Sequence, residues 1–583
     1  MVQTENRVGE LRRPAPEFPR RYLPAALTLQ TWDDVEPFFR ELEGRLLSCA
    51  ADLEAWIQDE SELSAFLGEE SSRRYIGMTC ATDDESAERA YMYFIEEIMP
   101  RKKAASDRLN RKLVGSDFAA SLPPRYEVFM RSCRNAVELF REENVPIETE
   151  IERLSQQYQK LFGAMSVMWR GAEITIPRAL ALLEEPDRAV REEAYRLVAE
   201  RRLQDRDELE DIFDEMVAKR HQIALNAGFE NFRDYMFRAL ERFDYTPADC
   251  QAYHDAVAAQ VVPVVREAAQ RRRLALNVET LRPWDMECDP YGRPPLRPFG
   301  TADELIKSCS RVFHRVDGEL GGQFDKMHDL GLLDLSSRKG KAPGGYQTDL
   351  AEARVPFIFM NAVGTNDDVF TLLHEGGHAF HSFAASDAFL YSYRSAPMEF
   401  SEVASMSMEL LAMPALDEFY GAADQARTIR TELEGKLGLL AWIATIDAFQ
   451  HWIYTHPQHT RDERRAYWRS LVERFGAGAD HGGHEEARDY RWHAQLHLFE
   501  VPFYYIEYGI AQLGALQMWS KSRKHPAEAL RGYKSGLALG GSRPLPKLFS
   551  AAGIHFDFSA EMIAPLMQEV RDVMVEQSRL EQK

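Results

Sequence analysis

Two histidines four residues apart, with a glutamate directly after the first, could grip one divalent cation and leave a base beside it. Residues 374–378 read His374-Glu375-Gly376-Gly377-His378, the H-E-x-x-H spacing. On a helix four residues make a little over one turn, so both rings face the same way. Two imidazole nitrogens so placed can hold one Zn²⁺. Glu375 sits between them, positioned to work on water rather than on the ion. A catalytic zinc takes three protein ligands and a water, so a third ligand is expected elsewhere. The H-E-x-x-H-x-x-G-x-x-H pattern fails here, because His381 takes the Gly position and Ala384 the last His position. A carboxylate from a following helix is the other route, and Glu399, Glu402 and Glu409 are its candidates. Glu402, 24 residues after His378, is favoured, because Glu409 lies two turns along the same face and could hydrogen-bond a ligand histidine. His381 reads as a packed or solvated side chain rather than a fourth ligand.

The elements that must position these residues are legible around them. An apolar, aromatic-rich run at 355–361, VPFIFMN, reads as a strand. Thr-Asn-Asp-Asp at 365–368 offers N-cap side chains. Val369, Leu372, Leu373, Gly376, Ala379, Phe380 and Phe383 follow, mostly at helical spacing. The motif therefore falls about two turns inside a capped, amphipathic helix. Ser395 is expected to cap the next helix, with Pro397 in its first turn. Helical periodicity continues through 33–60, 84–113, 127–142, 148–169, 187–228, 247–275 and 302–330, and through 396–414, 420–456, 461–475, 502–523 and 558–580. Strand signals are few, the best of them at 172–176 and 355–360. The expected fold class is mainly α, with a small β-sheet beside the motif helix. With no repeat or low-complexity linker, the division expected, an N-terminal helical domain at 1–200 and a catalytic domain at 201–583, is architectural.

Composition narrows the partners. The 583 residues carry 93 acidic and 71 basic side chains, a formal charge of −22, which argues against nucleic acid and anionic membranes. Six cysteines, with no C-x-x-C, read as reduced thiols of a cytoplasmic protein with no part in the metal site. The opening residues lack an apolar signal core, and no apolar run approaches a membrane span. Arg271-Arg272-Arg273 reads as a solvated helix face. The glycine-rich stretch at 476–484 reads as a flexible loop able to act as a lid, too mobile for its two histidines to make a second metal site.

HEGGHAFH followed by EVASMSME resembles the zinc metallopeptidases of the thimet oligopeptidase and oligoendopeptidase F group. The likeness extends to PFIFMNAVGTNDDV, to RHQIALNAGFENFRDYMF, to GGSRPLPKLFSAAGI, and to the segment from His497 through Tyr504, Tyr505 and Tyr508, whose H-x-F-x-x-P-F-Y-Y wording favours the oligoendopeptidase F branch. The resemblance implies one zinc per chain, held by His374, His378 and Glu402, the E-x-x-S-x-x-x-E spacing being met by Glu402, Ser405 and Glu409. It implies two helical lobes flanking a deep channel that admits short unstructured peptides, and hydrolysis of their internal bonds with Glu375 as proton shuttle. It makes Tyr508 the first choice for a donor to the oxyanion, then Tyr504 and Tyr505, with His497 as a second donor. Taken alone, FYYIEY is an aromatic core stripe. Gly344 and Gly345 suit either a substrate backbone or an ordinary turn. A catalytically idle peptide-binding protein and a zinc exopeptidase are the competing functions. Monomer and dimer both stay open.

Overall fold

The computed structural model describes residues 18–582. Helices carry most of its regular structure, beside five short strands, β1 (Ser166–Trp169), β2 (Ala172–Thr175), β3 (Leu333–Ser336), β4 (Tyr346–Leu350) and β5 (Val355–Ala362). The chain gathers into two compact units, each drawn from three separate stretches.

The first unit takes the described part of residues 1–138 together with 297–425 and 514–556. Its core packs Leu53, Trp56 and Phe66 of the Ala50–Cys80 helix against Phe39 and Leu42, against Leu109 and Leu113, and against Tyr393. The single helix expected over 33–60 is two, Glu36–Gly44 and Ala50–Cys80. Arg45 turns extended between them, and Lys112 Nζ donates to the carbonyls of Leu42, Glu43 and Arg45 at 2.6–2.9 Å, closing the first helix at its C-terminus. The 302–330 stretch likewise divides at Asp317, whose carboxylate caps the second piece. Sheet order is β3-β5-β4, with β3 parallel and β4 antiparallel to β5. Residues 355–360 of β5 are all buried, so both faces are covered and no polar alternation appears. The motif helix, Asn366–Ala385, packs on β5 and on the following helix, Met398–Leu411.

The second unit takes residues 139–296, 426–513 and the described part of 557–583. Tyr158, Phe213, Phe449, Trp468, Trp492 and Phe499 form its aromatic centre. The helix expected over 148–169 stops at Gly163, and β1 takes the remainder. Arg170 and Gly171, at φ +49 and +87, make the tight turn that folds β2 back on β1. The 187–228 periodicity breaks at Asp205 into Arg188–Gln204 and Arg206–Asn226. Arg272 and Arg273 are not a purely solvated face, because they donate to the carbonyls of Cys288, Val278 and Glu279. The 476–484 stretch is fastened: Asp480 N donates to Leu281 O at 2.9 Å, Arg282 bonds Asp480 and Gly482, and His484 packs edge-on to Trp284.

Candidate active site

Thr365 fixes where the motif helix begins. Its hydroxyl accepts from Asp368 N, while Asp368 Oδ2 accepts from Thr365 N at 2.8 Å and from Val363 N at 2.9 Å, a reciprocal cap contributing about 1 kcal/mol. The next helix starts differently from expectation. Its first residue is Met398 and its cap position is Pro397, so Ser395 lies outside it. A proline fits there because it has no amide hydrogen to leave unsatisfied.

The two glycines inside the motif set how closely these helices approach. A Cβ on Gly377 would lie 2.5 Å from Ser405 Cα and 2.6 Å from Ala404 O, and one on Gly376 would lie 2.6 Å from the Phe313 ring. The contact with residues 404–405 puts Glu402 beside the two histidines.

Three side chains then converge. His374 Nε2 is 3.3 Å and His378 Nε2 3.7 Å from Glu402 Oε2, and the three donor atoms all lie within 4.8 Å of one another. Glu409 holds His374 from behind, its Oε1 2.7 Å from Nδ1. That hydrogen bond places the ring proton on Nδ1 and turns the Nε2 lone pair toward Glu402 and His378. Ser405 Oγ donates to Glu402 Oε2 at 3.0 Å. The donor set, two imidazoles and a carboxylate, is one that zinc accepts. A proton on His374 Nε2, or a cation among the three atoms, offsets the repulsion of electron pairs crowded at these separations. The titration behaviour of the cluster has the same origin. Burial disfavours a charged His374, but hydrogen bonds to Glu402 and Glu409 outweigh it and raise its pKa. Burial pulls His378 down to about 4, against the opposing pull of Glu402. Burial likewise favours the neutral form of Glu402, yet its bond to His374 and the charge of His378 hold it below the ordinary carboxylate value. Glu375 is pushed up to about 7 by burial, with His374 opposing and Glu402 adding.

The other sequence candidates divide. His381 is buried against Phe400, and burial lowers its pKa to about 3, in keeping with a packed side chain. Gly344 has φ +94, a conformation that favours glycine, and Asn361 Nδ2 donates to its carbonyl at 3.0 Å. Gly345 lies 3.4 Å by its would-be Cβ from both Phe359 O and Thr371 Cγ2. The pair therefore forms a pinned turn leading into β4. His497, Tyr504, Tyr505 and Tyr508 belong to the second unit. There His497 lies 4.8–6.0 Å, ring centre to ring centre, from the three tyrosines, and Gln495 bonds its Nδ1 at 2.8 Å. Tyr505 is buried, whereas Tyr504 and Tyr508 are half-buried. Phe503, at φ +69, turns the chain into this cluster; its amide donates to Gln450 and its carbonyl accepts from Arg242. The packing role of Gly376 and Gly377 is the part of the site that motif spacing leaves out. Its signal was the pair of glycines inside a helix, where glycine costs about 1 kcal/mol relative to alanine and so asks for a reason.

Known proteins resemble this chain over most of its length. The model of Peptidase family M3 matches residues 181–567, and the Peptidase M3 N-terminal domain matches residues 25–140. Group B oligopeptidase PepB of Streptococcus agalactiae is 21% identical over 422 residues, which cover 70% of this chain and 67% of that protein. A crystal structure described as an oligoendopeptidase F superposes with TM-score 0.86 at 29% identity, covering 94% of this chain and 97% of the other. PZ peptidase A in complex with an inhibitor gives TM-score 0.86 at 26% identity, covering 96% and 99%. With the M3 model spanning about two thirds of its length, the chain belongs to peptidase family M3.

Proposed function

We propose that this chain is a zinc-dependent endopeptidase that hydrolyses internal bonds of short unstructured peptides. The observation that carries the reading is the convergence of His374 Nε2, His378 Nε2 and Glu402 Oε2, with Glu375 alongside. Those three side chains would hold the ion. Bound there, zinc supplies a Lewis acid that polarises the scissile carbonyl and eases loss of a proton from water.

The remaining chemistry belongs to the chain. Glu375 takes the proton of the attacking water and returns it to the leaving amine. Its burial keeps the carboxylate poorly solvated, so it accepts a proton readily. Glu409 fixes the tautomer and aim of His374, and Ser405 fixes the rotamer of Glu402. For Tyr508 and His497, donors to the oxyanion, and for Gly344 and Gly345, contacts to the peptide backbone, support comes from the family resemblance. No helix among the described residues is long and apolar enough to cross a membrane, and a cytoplasmic location is part of the same reading.

A peptide with a fluorophore and quencher flanking an internal bond tests the proposal. Cleavage within the peptide that stops with chelator and returns with Zn²⁺ is the expected result. Binding without cleavage would instead identify an idle peptide-binding protein, and stepwise trimming from one end an exopeptidase.

A further inference from the structure

The second unit holds another set of metal-binding side chains, far along the sequence from the motif helix and independent of it. Cys250 and His254 lie four residues apart on the Pro247–Ala256 helix, and Asp447 and His451 lie four apart on the Ala422–Thr455 helix. Each pair therefore shares one helix face. The two faces meet. Cys250 Sγ, an oxygen of Asp447 and a ring nitrogen of His451 lie within 4.8 Å of one another. His451 Nε2 is 3.4 Å from Asp447 Oδ2, and His254 Nε2 is 2.8 Å from the same oxygen. Atoms sharing one zinc at ordinary bond lengths of roughly 2.0–2.3 Å stand roughly 3.3–3.8 Å apart, so closure needs only small side-chain movements.

Polarity in this cluster calls for a cation. Asp447 is fully buried, and burial of an anion is costly without positive charge close by. His254 gives its carboxylate one hydrogen bond, through Nε2 at 2.8 Å. His451 Nε2 is buried without a hydrogen-bond partner, 3.4 Å from the carboxylate. We propose that Cys250, Asp447 and His451 bind a second divalent transition-metal ion of the zinc and cobalt class, with His254 as the outer partner that orients Asp447. One thiolate and one carboxylate together offset the two charges of the ion. The Cys250 S–H bond breaks as the S–metal bond forms, and the proton leaves to solvent. Thiolate and imidazole ligation excludes magnesium and calcium, which take oxygen ligands. Entry is open, because His451 also lines a cleft of about 650 Å³ with Gln251, Ala448, Trp452 and Tyr467. The site is separate from the one in which the cysteines were expected to play no part, and it adds a second ion to the single zinc expected there.

Cobalt titration of the full-length apo protein tests this. Cobalt bound to a thiolate gives a near-ultraviolet charge-transfer band, which a site of two histidines and a carboxylate lacks. The expected result is two cobalt ions per wild-type chain, with the band coming from one of them. Cys250→Ser is expected to bind one ion without the band, and His378→Ala one ion with it. His451→Gln, which keeps the thiol, provides an independent check and is expected to lose the band. Circular dichroism confirms that each variant is folded. A wild-type protein that binds a single ion without the band, or a band that persists in Cys250→Ser, overturns the proposal. Both readings are independent of whether His374 and His378 hold the catalytic ion.

Discussion

His374 has two ring nitrogens, and Glu409 decides which one meets a cation. With Oε1 2.7 Å from Nδ1, the carboxylate fixes both the proton and the ring plane. Outer partners of this kind typically contribute ten- to a hundredfold in metal affinity or activity. Glu409→Ala is therefore expected to weaken zinc about 10–100-fold in a chelator competition, with a parallel loss of kcat/KM at limiting zinc. Unchanged affinity would leave Glu409 as a packing residue. Glu375 makes the opposite prediction. It does not hold the ion, so Glu375→Gln should retain zinc stoichiometry while kcat falls by roughly 10²–10⁴ through loss of the proton shuttle. Near-wild-type turnover in that variant refutes the role. At this scale much was legible, because His374, Glu375 and His378 are neighbours on one helix and the spacing alone brings the rings together. The fixing of Glu402 by Ser405 is also a within-helix contact, three residues apart. The sequence offered Glu409 as a partner for a ligand histidine; which histidine it meets, and by which nitrogen, spacing could not show, since that depends on how two helices pack.

Helix approach is controlled by Gly377. Its missing side chain lets the backbone at Ala404 and Ser405 come close enough for Glu402 to meet the histidines. Alanine would gain about 1 kcal/mol of helix propensity, but its Cβ would overlap backbone atoms that cannot rotate away. Overpacking of this sort costs typically 1–3 kcal/mol, so Gly377→Ala is expected to lower the thermal midpoint and weaken zinc binding together. Gly376→Ala meets the Phe313 ring first, a side chain rather than backbone, and is expected to cost less. Equal stability of the two variants contradicts this account. A second element-scale device is Asp285, fully buried, which accepts from Arg188 and Arg191 and from the backbone of Arg282, tying the Arg188–Gln204 helix to the turn at 282–285. Burial alone would raise its pKa, yet the arginines and the backbone amide lower it. A depressed folded value means that the stabilisation is complete above the unfolded value of about 3.9 and is lost as the pH falls through the folded one. Asp285→Asn is expected to cost about 3 kcal/mol at pH 7, read as a lower urea midpoint, and progressively less below about pH 4. A difference that does not shrink in acid would sever the link to ionisation. Helices announced themselves by periodicity, whereas breaks at Arg45 and Asp205 did not, because apolar spacing runs across them. Strands β3 and β4 were missed for a related reason: four or five residues carry little pattern, and β5 pairs with them over distant sequence.

Across the molecule, two of the chain's five passages between its units fall inside helices, after Gln425 in Ala422–Thr455 and after Leu513 in Tyr505–Lys524. No glycine-rich linker or change of composition marks these crossings, so residue patterns could not reveal them. Charge, by contrast, can be read directly from the sequence. A formal charge of −22 gives a long-range field that attracts cationic peptides and repels anionic ones. Salt screens this field, with a Debye length of about 30 Å at 0.01 M and about 8 Å at 0.15 M. Two peptides with the same central residues, flanked by lysines or by glutamates, separate this effect from side-chain recognition at the bond. At low salt the lysine-flanked peptide is expected to show the higher kcat/KM, and that advantage should fall severalfold between about 0.01 and 0.15 M salt. The change should lie mainly in KM or the association rate, because steering acts on encounter rather than on proton transfer. If both peptides respond identically to salt, charge acts only at close range in this protein, and its acidic excess has no part in selecting peptides.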